Sequence, residues 1–489
     1  MLATSANYRP AEASDPSLQE ILVALSFALD LTEGAAPGHA IRSCLLAVRI
    51  ALAAGLEHDF VSDLYYATLL KDVGCSSNSA RMCQIVGGDD RAVKAGAKLA
   101  DWTRPLRPEL ATVKMLWQQV LPGASMFKKT ARMARIAIAQ HSNNRDLIEI
   151  RCDRGAVIIR KLGLGNRVAI GVRHLDEHWD GCGYPSGLKA HEIPVISRLM
   201  GIAQHLDAFC MAHGPRVAMD TLVQRSGRWF DPDLTAAAAS LDKSSRLWTN
   251  CLPSDPIEET RAAILELNPE RAAQLSPLDI DAICETFADV VDAKSPFTYR
   301  HSIGVMDAAV AIGNALGFSP ERLQLLRRAA LLHDVGKLSI SNTILDKPSR
   351  LTDEELAIIK FHPGVSAEIL GHIGAFGEIA IVAGEHHEKL DGSGYPNGLQ
   401  KADLSLESRL IAVADIYGAL SEKRPYREAL IPAQITAIMD RDVPLKLDGM
   451  CYEALRSVMG ELTQPTHGFE APEEDRWCIP GFDVVEAYI

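Results

Sequence analysis

Five histidines and two aspartates in the C-terminal half of this 489-residue chain could do metal chemistry: His301, His333, Asp334, His362, His386, His387 and Asp415. Imidazole nitrogen and carboxylate oxygen both bind divalent ions. The adjacent pairs His333-Asp334 and His386-His387 suit two neighbouring ions, because successive helix residues diverge by about 100° and can reach different ions. A carboxylate has two oxygens, so Asp334 can bridge. Two ions about 3.5–4 Å apart can activate water and stabilise both oxygens of an in-line phosphoryl displacement. A single histidine on an amphipathic helix is ordinarily a core or surface residue, whereas seven ligand-type residues together point to a binuclear centre. His372 and His467 fit no such pattern. Nitrogen and oxygen donors without thiolate favour iron or manganese over structural zinc.

The segments that carry these residues have helical period. In "ERLQLLRRAALLHDVGKL", Leu323, Leu326, Ala330 and His333 fall on related faces. "LTDEELAIIKFH" opens with Thr352 and Glu355 at the spacing of a capping box. "ESRLIAVADIYGALSE" is a further amphipathic helix, and strand-like alternation is scarce, so the pattern predicts an all-α protein. In a helix bundle, side chains from different helices can converge inward on a metal site.

The chain also repeats itself. "HHEKLDGSGYP" (386–396) has a relative in "HLDEHWDGCGYP" (174–185); "RHSIGVMDAAVAIGNALGF" (300–318) pairs with "GHAIRSCLLAVRIALAAGL" (38–56), and "RRAALLHDVG" with "YYATLLKDVG". The first copy is longer by an insertion within 75–135. Aligned on the seven positions, it keeps His39 and Asp72 and replaces the rest with Lys71, Cys152, Leu175, Asp176 and Gln204. Lys71 puts a cation where an ion would sit. His174, His178 and Asp180 have ligand spacing by themselves, but no third or fourth partner is evident. We therefore expect two tandem helical bundle domains. The first spans 15–245, lacks metal and has a regulatory or bracing role. A linker at 246–274 contains one helix, an active domain spans 275–462, and a C-terminal tail follows at 463–489.

"LLHDVGKL", "HHEKLDGSGYPNGL" and "VADIYGALSEKRPYR" together resemble the HD-GYP family, a branch of the HD metal-dependent phosphohydrolases, over residues 280–460. The resemblance implies an HD-type helical domain with a binuclear iron or manganese centre. It also implies hydrolysis of a cyclic dinucleotide, most often cyclic di-GMP. By the same likeness, the seven residues above are the ligands, Asp334 is the bridge, and Asp334 and Lys337 are the catalytic residues. Lys337 would contact the scissile phosphate and Arg424 would hold phosphate. Tyr395 would meet a base, although Gly394, Tyr395 and Pro396 could equally serve to set a tight turn. Two positions depart from the family pattern. Phe297 stands where some members carry a glutamate for a third metal, which implies two ions here. Gly418 stands where the family often has a second aspartate, which puts the turnover rate in question.

The bulk properties are compatible with this reading. A formal net charge of −13 argues against duplex nucleic acid as a partner. No apolar run of about 18 residues suggests a membrane span, and the N-terminus lacks a signal-peptide pattern. The ten cysteines form no C-x-x-C pair and read as reduced thiols of a cytoplasmic protein. The expected function is a metal-dependent cyclic-dinucleotide phosphodiesterase, with a homodimer or a signalling protein as a possible partner. The alternatives are a signalling adaptor with little catalysis and a phosphohydrolase acting on another nucleotide such as cyclic GMP-AMP.

Overall fold

The computed structural model describes residues 16–101, 110–267, 277–298, 300–422 and 429–462. Among them the chain is all-α, with no strand and with isolated β-bridges such as Ser226 to Phe230 and Asp391 to Gln400. Helix starts follow local chemistry. Ser319 caps Pro320–Leu332, with proline at the first helical position where no N–H is needed. Thr352 and Glu355 form the expected capping box of Asp353–Ile359. Ser405 caps Leu406–Ser421 by accepting from Ser408 N at 3.0 Å.

The repeat is visible in the packing. His39–Ala53 lies against His58–Leu69 and Val195–His213 in the first half; His301–Ala315 lies against Pro320–Leu332 and Leu406–Ser421 in the second. In both halves a buried aspartate caps the first of these helices: Asp30 accepts from Ala40 N, and Asp292 from Ser302 N and Oγ. The linker contains the expected helix, Ile257–Glu266. The insertion folds into Ser79–Val86, Asp90–Leu99, Leu110–Gln119 and Met126–Ile138, with a small core of its own around Val86, Val93 and Val120.

One apolar core runs through both halves. Leu18–Thr32 packs on the Val335–Ser339 turn and on His362–Gly371, two segments that carry or adjoin candidate site residues. The insertion reaches the same place. Asp90, fully buried, accepts from Ser341 Oγ and Asn342 N at 2.9 Å each, and Arg91 donates to the Ser339 carbonyl. The buried Lys294 ammonium lies 3.8 Å from Asp90 Oδ2. Asp90→Ala leaves these donors without their carboxylate and should cost about 2–3 kcal/mol, read as a lower urea midpoint of the full chain. An unchanged midpoint would remove Asp90 from the contact between the halves.

Candidate metal centre

The seven candidate ligands come from separate helices and turns and meet in one buried cage. His333 and Asp334 end the Pro320–Leu332 helix, His362 starts His362–Gly371, and His386 and His387 follow Gly377–Glu385. His301 starts its helix after Arg300, whose φ of 62° turns the chain sharply into it. Asp415 projects from Leu406–Ser421.

Asp334 divides the cage. Its Oδ2 lies 3.3 Å from His333 Nε2 and 3.7 Å from His301 Nε2. Its Oδ1 lies 3.3 Å from His362 Nε2 and 3.7 Å from His386 Nε2. Asp415 spans the other side, 3.2 Å from His301 Nε2 through Oδ1 and 3.6 Å from His387 Nδ1 through Oδ2. Three overlapping groups of donors in this half lie close enough to share an ion: His301, His333 and Asp415; His362, His386 and His387; and His333, Asp334 and His386, through which Asp334 joins the other two.

Three of the histidines are aimed by the end of the helix that precedes them. Nδ1 of His333, His362 and His386 lies 2.6 Å from the carbonyl three residues earlier, on Ala330, Ile359 and Ala383. A carbonyl can only accept, so Nδ1 carries the proton and the bare Nε2 faces the cage. Four buried imidazoles with carboxylates and no thiolate fit a divalent ion. His333 Nε2 and Asp334 Oδ1 have no hydrogen-bond partner, the condition of atoms shaped for an ion. Burial would raise the Asp334 carboxyl, but His333 and Lys337 outweigh it and hold the group well below the usual carboxylate range. Burial takes His387 down to about 3.

Lys337 Nζ sits 2.6 Å from Asp334 Oδ2 and is partly exposed. On the same open side, the half-buried Tyr395 ring lies 4.8 Å from that of His387, with Lys360 Nζ 5.4 Å from its centre. Arg424 lies outside the described residues, as does the 463–489 tail.

The turn after the paired histidines is held the same way in both halves. Buried Glu388 accepts from Asn397 N and Leu399 N at 2.7 and 3.0 Å; buried Glu177 accepts from Ser186 N and Leu188 N at the same distances. A Cβ at Gly394 would lie 2.4 Å from Lys389 N, and one at Gly183 would lie 2.2 Å from His178 N, so only glycine fits at either position. The turn is thus a structural element with its own carboxylate clamp, which is why the first half keeps it without the histidines. The clamp glutamates are in the sequence in both copies, directly after the His-His and Leu-Asp pairs, and were readable from that recurrence alone.

In the first half, ion pairs stand where the cage would be. Lys71 pairs with Asp72, the counterparts of His333 and Asp334. Arg151 pairs with Asp176. Arg151, not Cys152, occupies the third histidine's place. A Cβ at Gly74 would strike the Arg151 carbonyl just as one at Gly336 would strike that of His362, at 1.9 and 2.1 Å. The sequence alignment is off by one residue at this point. The insertion supplies the central charge: Lys98 Nζ lies 3.2 Å from Glu33, 3.6 Å from Asp72 and 3.3 Å from His39 Nε2, with Lys94 3.5 Å from Glu33. Glu33, Asp72 and Cys75 come within reach of one ion, but these ammonium groups already neutralise the carboxylates, and burial pushes the Cys75 thiol up to about 12. His178 stacks on Trp229 instead of joining a site.

Lys98→Met should destabilise the chain by about 1.5–3 kcal/mol, because it removes one of the two ammonium groups beside each of two buried carboxylates and leaves Glu33 only Lys94 and Asp72 only Lys71. Burial would raise Glu33, yet Lys98 and Lys94 bring it from 4.5 to about 2. That contribution is complete above pH 4.5 and is lost as pH falls towards about 2. The variant should therefore also show a flatter acid limb in denaturation curves taken between these pH values. Equal stability and an unaltered limb would show that the lysine does not neutralise the site.

An all-helical bundle that closes histidines and aspartates around one buried point, on an adjacent His-Asp pair, defines a helical metal-site protein of the HD type. The chain belongs to the HD domain family, whose profile matches residues 117–234 and 285–450, one stretch in each half. It is 36% identical over 462 residues to the 3'3'-cGAMP-specific phosphodiesterase 3 of Vibrio cholerae, covering 92% of this chain and 97% of that protein. It is 38% identical over 155 residues to a cyclic di-GMP phosphodiesterase response regulator of Xanthomonas campestris, covering 31% and 41%. The crystal structure of a cyclic GMP-AMP specific phosphodiesterase of V. cholerae superposes with a TM-score of 0.63 at 32% identity, over 91% of this chain and 98% of that one. Among the described residues no helix is long and apolar enough to cross a membrane.

Proposed function

We propose that the C-terminal half hydrolyses a phosphodiester bond of a cyclic dinucleotide, using two divalent ions held by His301, His333, Asp334, His362, His386, His387 and Asp415. The observation that carries this reading is the division of Asp334, one oxygen towards each pair of histidines. Two ions bound there would supply Lewis acidity and an activated water. Iron or manganese suits the nitrogen and oxygen donors. Asp334 bridges. Lys337, partly exposed at the rim, points its ammonium at the scissile phosphate, and Arg424 holds phosphate. Tyr395, beside His387 and under Lys360, offers a ring against which a base can stack. A complete cage favours an enzyme over an adaptor.

The family likeness seen in the sequence puts cyclic di-GMP first. We place 3'3'-cGAMP ahead of it, because the relative that matches almost end to end carries that specificity in its name, whereas the cyclic di-GMP relative cited above matches under a third of this chain. The first half, 15–245, braces the active half through Leu18–Thr32 and Asp90. The test is product analysis with full-length protein, loaded anaerobically with Mn²⁺ or Fe²⁺ and offered 3'3'-cGAMP, cyclic di-GMP and cyclic di-AMP. Faster turnover of 3'3'-cGAMP than of the other two is expected. A preference for cyclic di-GMP would reverse the substrate assignment, and no cleavage of any of them by metal-loaded protein would leave the adaptor.

A further inference from the structure

His301 differs from the other aimed histidines. Like His362 it is the first residue of its helix, but three residues back the Thr298 carbonyl already accepts from the His301 main-chain N–H at 2.9 Å. Its Nδ1 lies instead 3.1 Å from both carboxylate oxygens of the buried Glu422, just past the end of Leu406–Ser421. The first half solves the same problem differently. His39 Nδ1 lies 2.6 Å from Asp207 Oδ2, and Arg42 Nε donates to Asp207 Oδ1 at 2.6 Å.

Asp207 is the counterpart of Gly418, the position where the second half lacks its expected carboxylate. The neighbours change with it. Ser43 and Arg42 of the first half correspond to Val305 and Gly304 of the second. A Cβ at Gly418 would lie 2.9 Å from Val305 Cγ2, so valine there leaves no room for an aspartate. A Cβ at Gly304 would lie 3.6 Å from Glu422 Oε1, in ordinary van der Waals contact, so position 304 borders the carboxylate and a side chain as long as Arg42 in that direction would crowd it. The carboxylate stands four residues further on, just past the end of the same helix, and the two residues around it differ with it.

We propose that Glu422 is the positioning residue of His301: by accepting the Nδ1 proton it turns the Nε2 lone pair towards Asp334 and Asp415, and so replaces the aspartate absent at Gly418. This rests on the metal-centre reading above. Glu422 touches no substrate, and its effect passes through His301.

The test uses the full chain and Mn²⁺ alone, with affinities measured by equilibrium dialysis. Glu422→Ala should weaken one of the two ions about 10–100-fold and leave the other near its wild-type affinity. Glu422→Gln, whose carbonyl oxygen can still accept from Nδ1, should lose less than about 5-fold, well short of that range. On a His301→Ala background, Glu422→Ala should add nothing. The triple variant V305S/G418D/E422A returns the carboxylate to the position that Asp207 holds in the first half, without the arginine, and should recover most of the lost affinity. If Glu422→Ala binds both ions as tightly as wild type, or weakens them equally with and without His301, the proposal falls. Should the alanine variant fail to fold, the glutamine variant decides, with a loss as large as that of His301→Ala counting against the proposal. A wild-type chain that binds no Mn²⁺ would instead fail the metal-centre reading itself.

Discussion

Replacing Asp334 with alanine is expected to empty both metal positions together and to lower turnover by about 10³-fold or more. The reason is geometric. Each of its oxygens faces a different pair of histidines, so one substitution removes a donor from both groups. Loss of the carboxylate also leaves four imidazoles without the charge that offsets two dications. The measurement is metal content per folded chain, alongside turnover and a circular dichroism check. A Asp334→Ala chain that keeps two ions would end the bridging role, and one that keeps a single ion would assign Asp334 to one position only.

Replacing Lys337 with alanine should have a different signature. The two ions should remain, while kcat falls about 10²–10³-fold, the cost of removing one preorganised charge from a developing phosphoryl transition state. Lys337 is suited to this because its ammonium already sits 2.6 Å from Asp334 Oδ2 at the partly exposed rim of the cage. Lys337→Arg keeps the charge but not the point geometry and should fall between the two. If Lys337→Ala emptied the centre, the residue would belong to the cage's structure instead of to phosphate contact.

The sequence carried a great deal of this site because its signals are local. Adjacent pairs of ligand-type residues, their place at helix ends and the Thr352–Glu355 capping box depend on neighbours within a few positions. All seven candidate ligands do meet in the fold. The reading slipped where an answer depended on register across the chain. Cys152 was aligned with the third histidine, but the close approach of Gly74 to the Arg151 carbonyl puts Arg151 there. The first half's loss of its histidines was visible, but the replacement was not. Lys71 could be named from its position. Lys98 could not, because it reaches Glu33 and Asp72 from an insertion helix with no counterpart in the second half.

By itself, then, the sequence determined the helical class, the duplicated plan and the set of donors, since periodicity, recurrence and residue type are properties of short segments. Tertiary structure alone decided how the donors are shared and held. It set one oxygen of Asp334 towards each histidine pair. It put Lys98 among carboxylates that would otherwise attract an ion. It also gave His301 a carboxylate from Glu422 despite the glycine at 418. Each of these depends on side-chain volume and charge meeting between segments far apart in the chain, as where the 2.9 Å between a Cβ at 418 and Val305 Cγ2 settles which group fits.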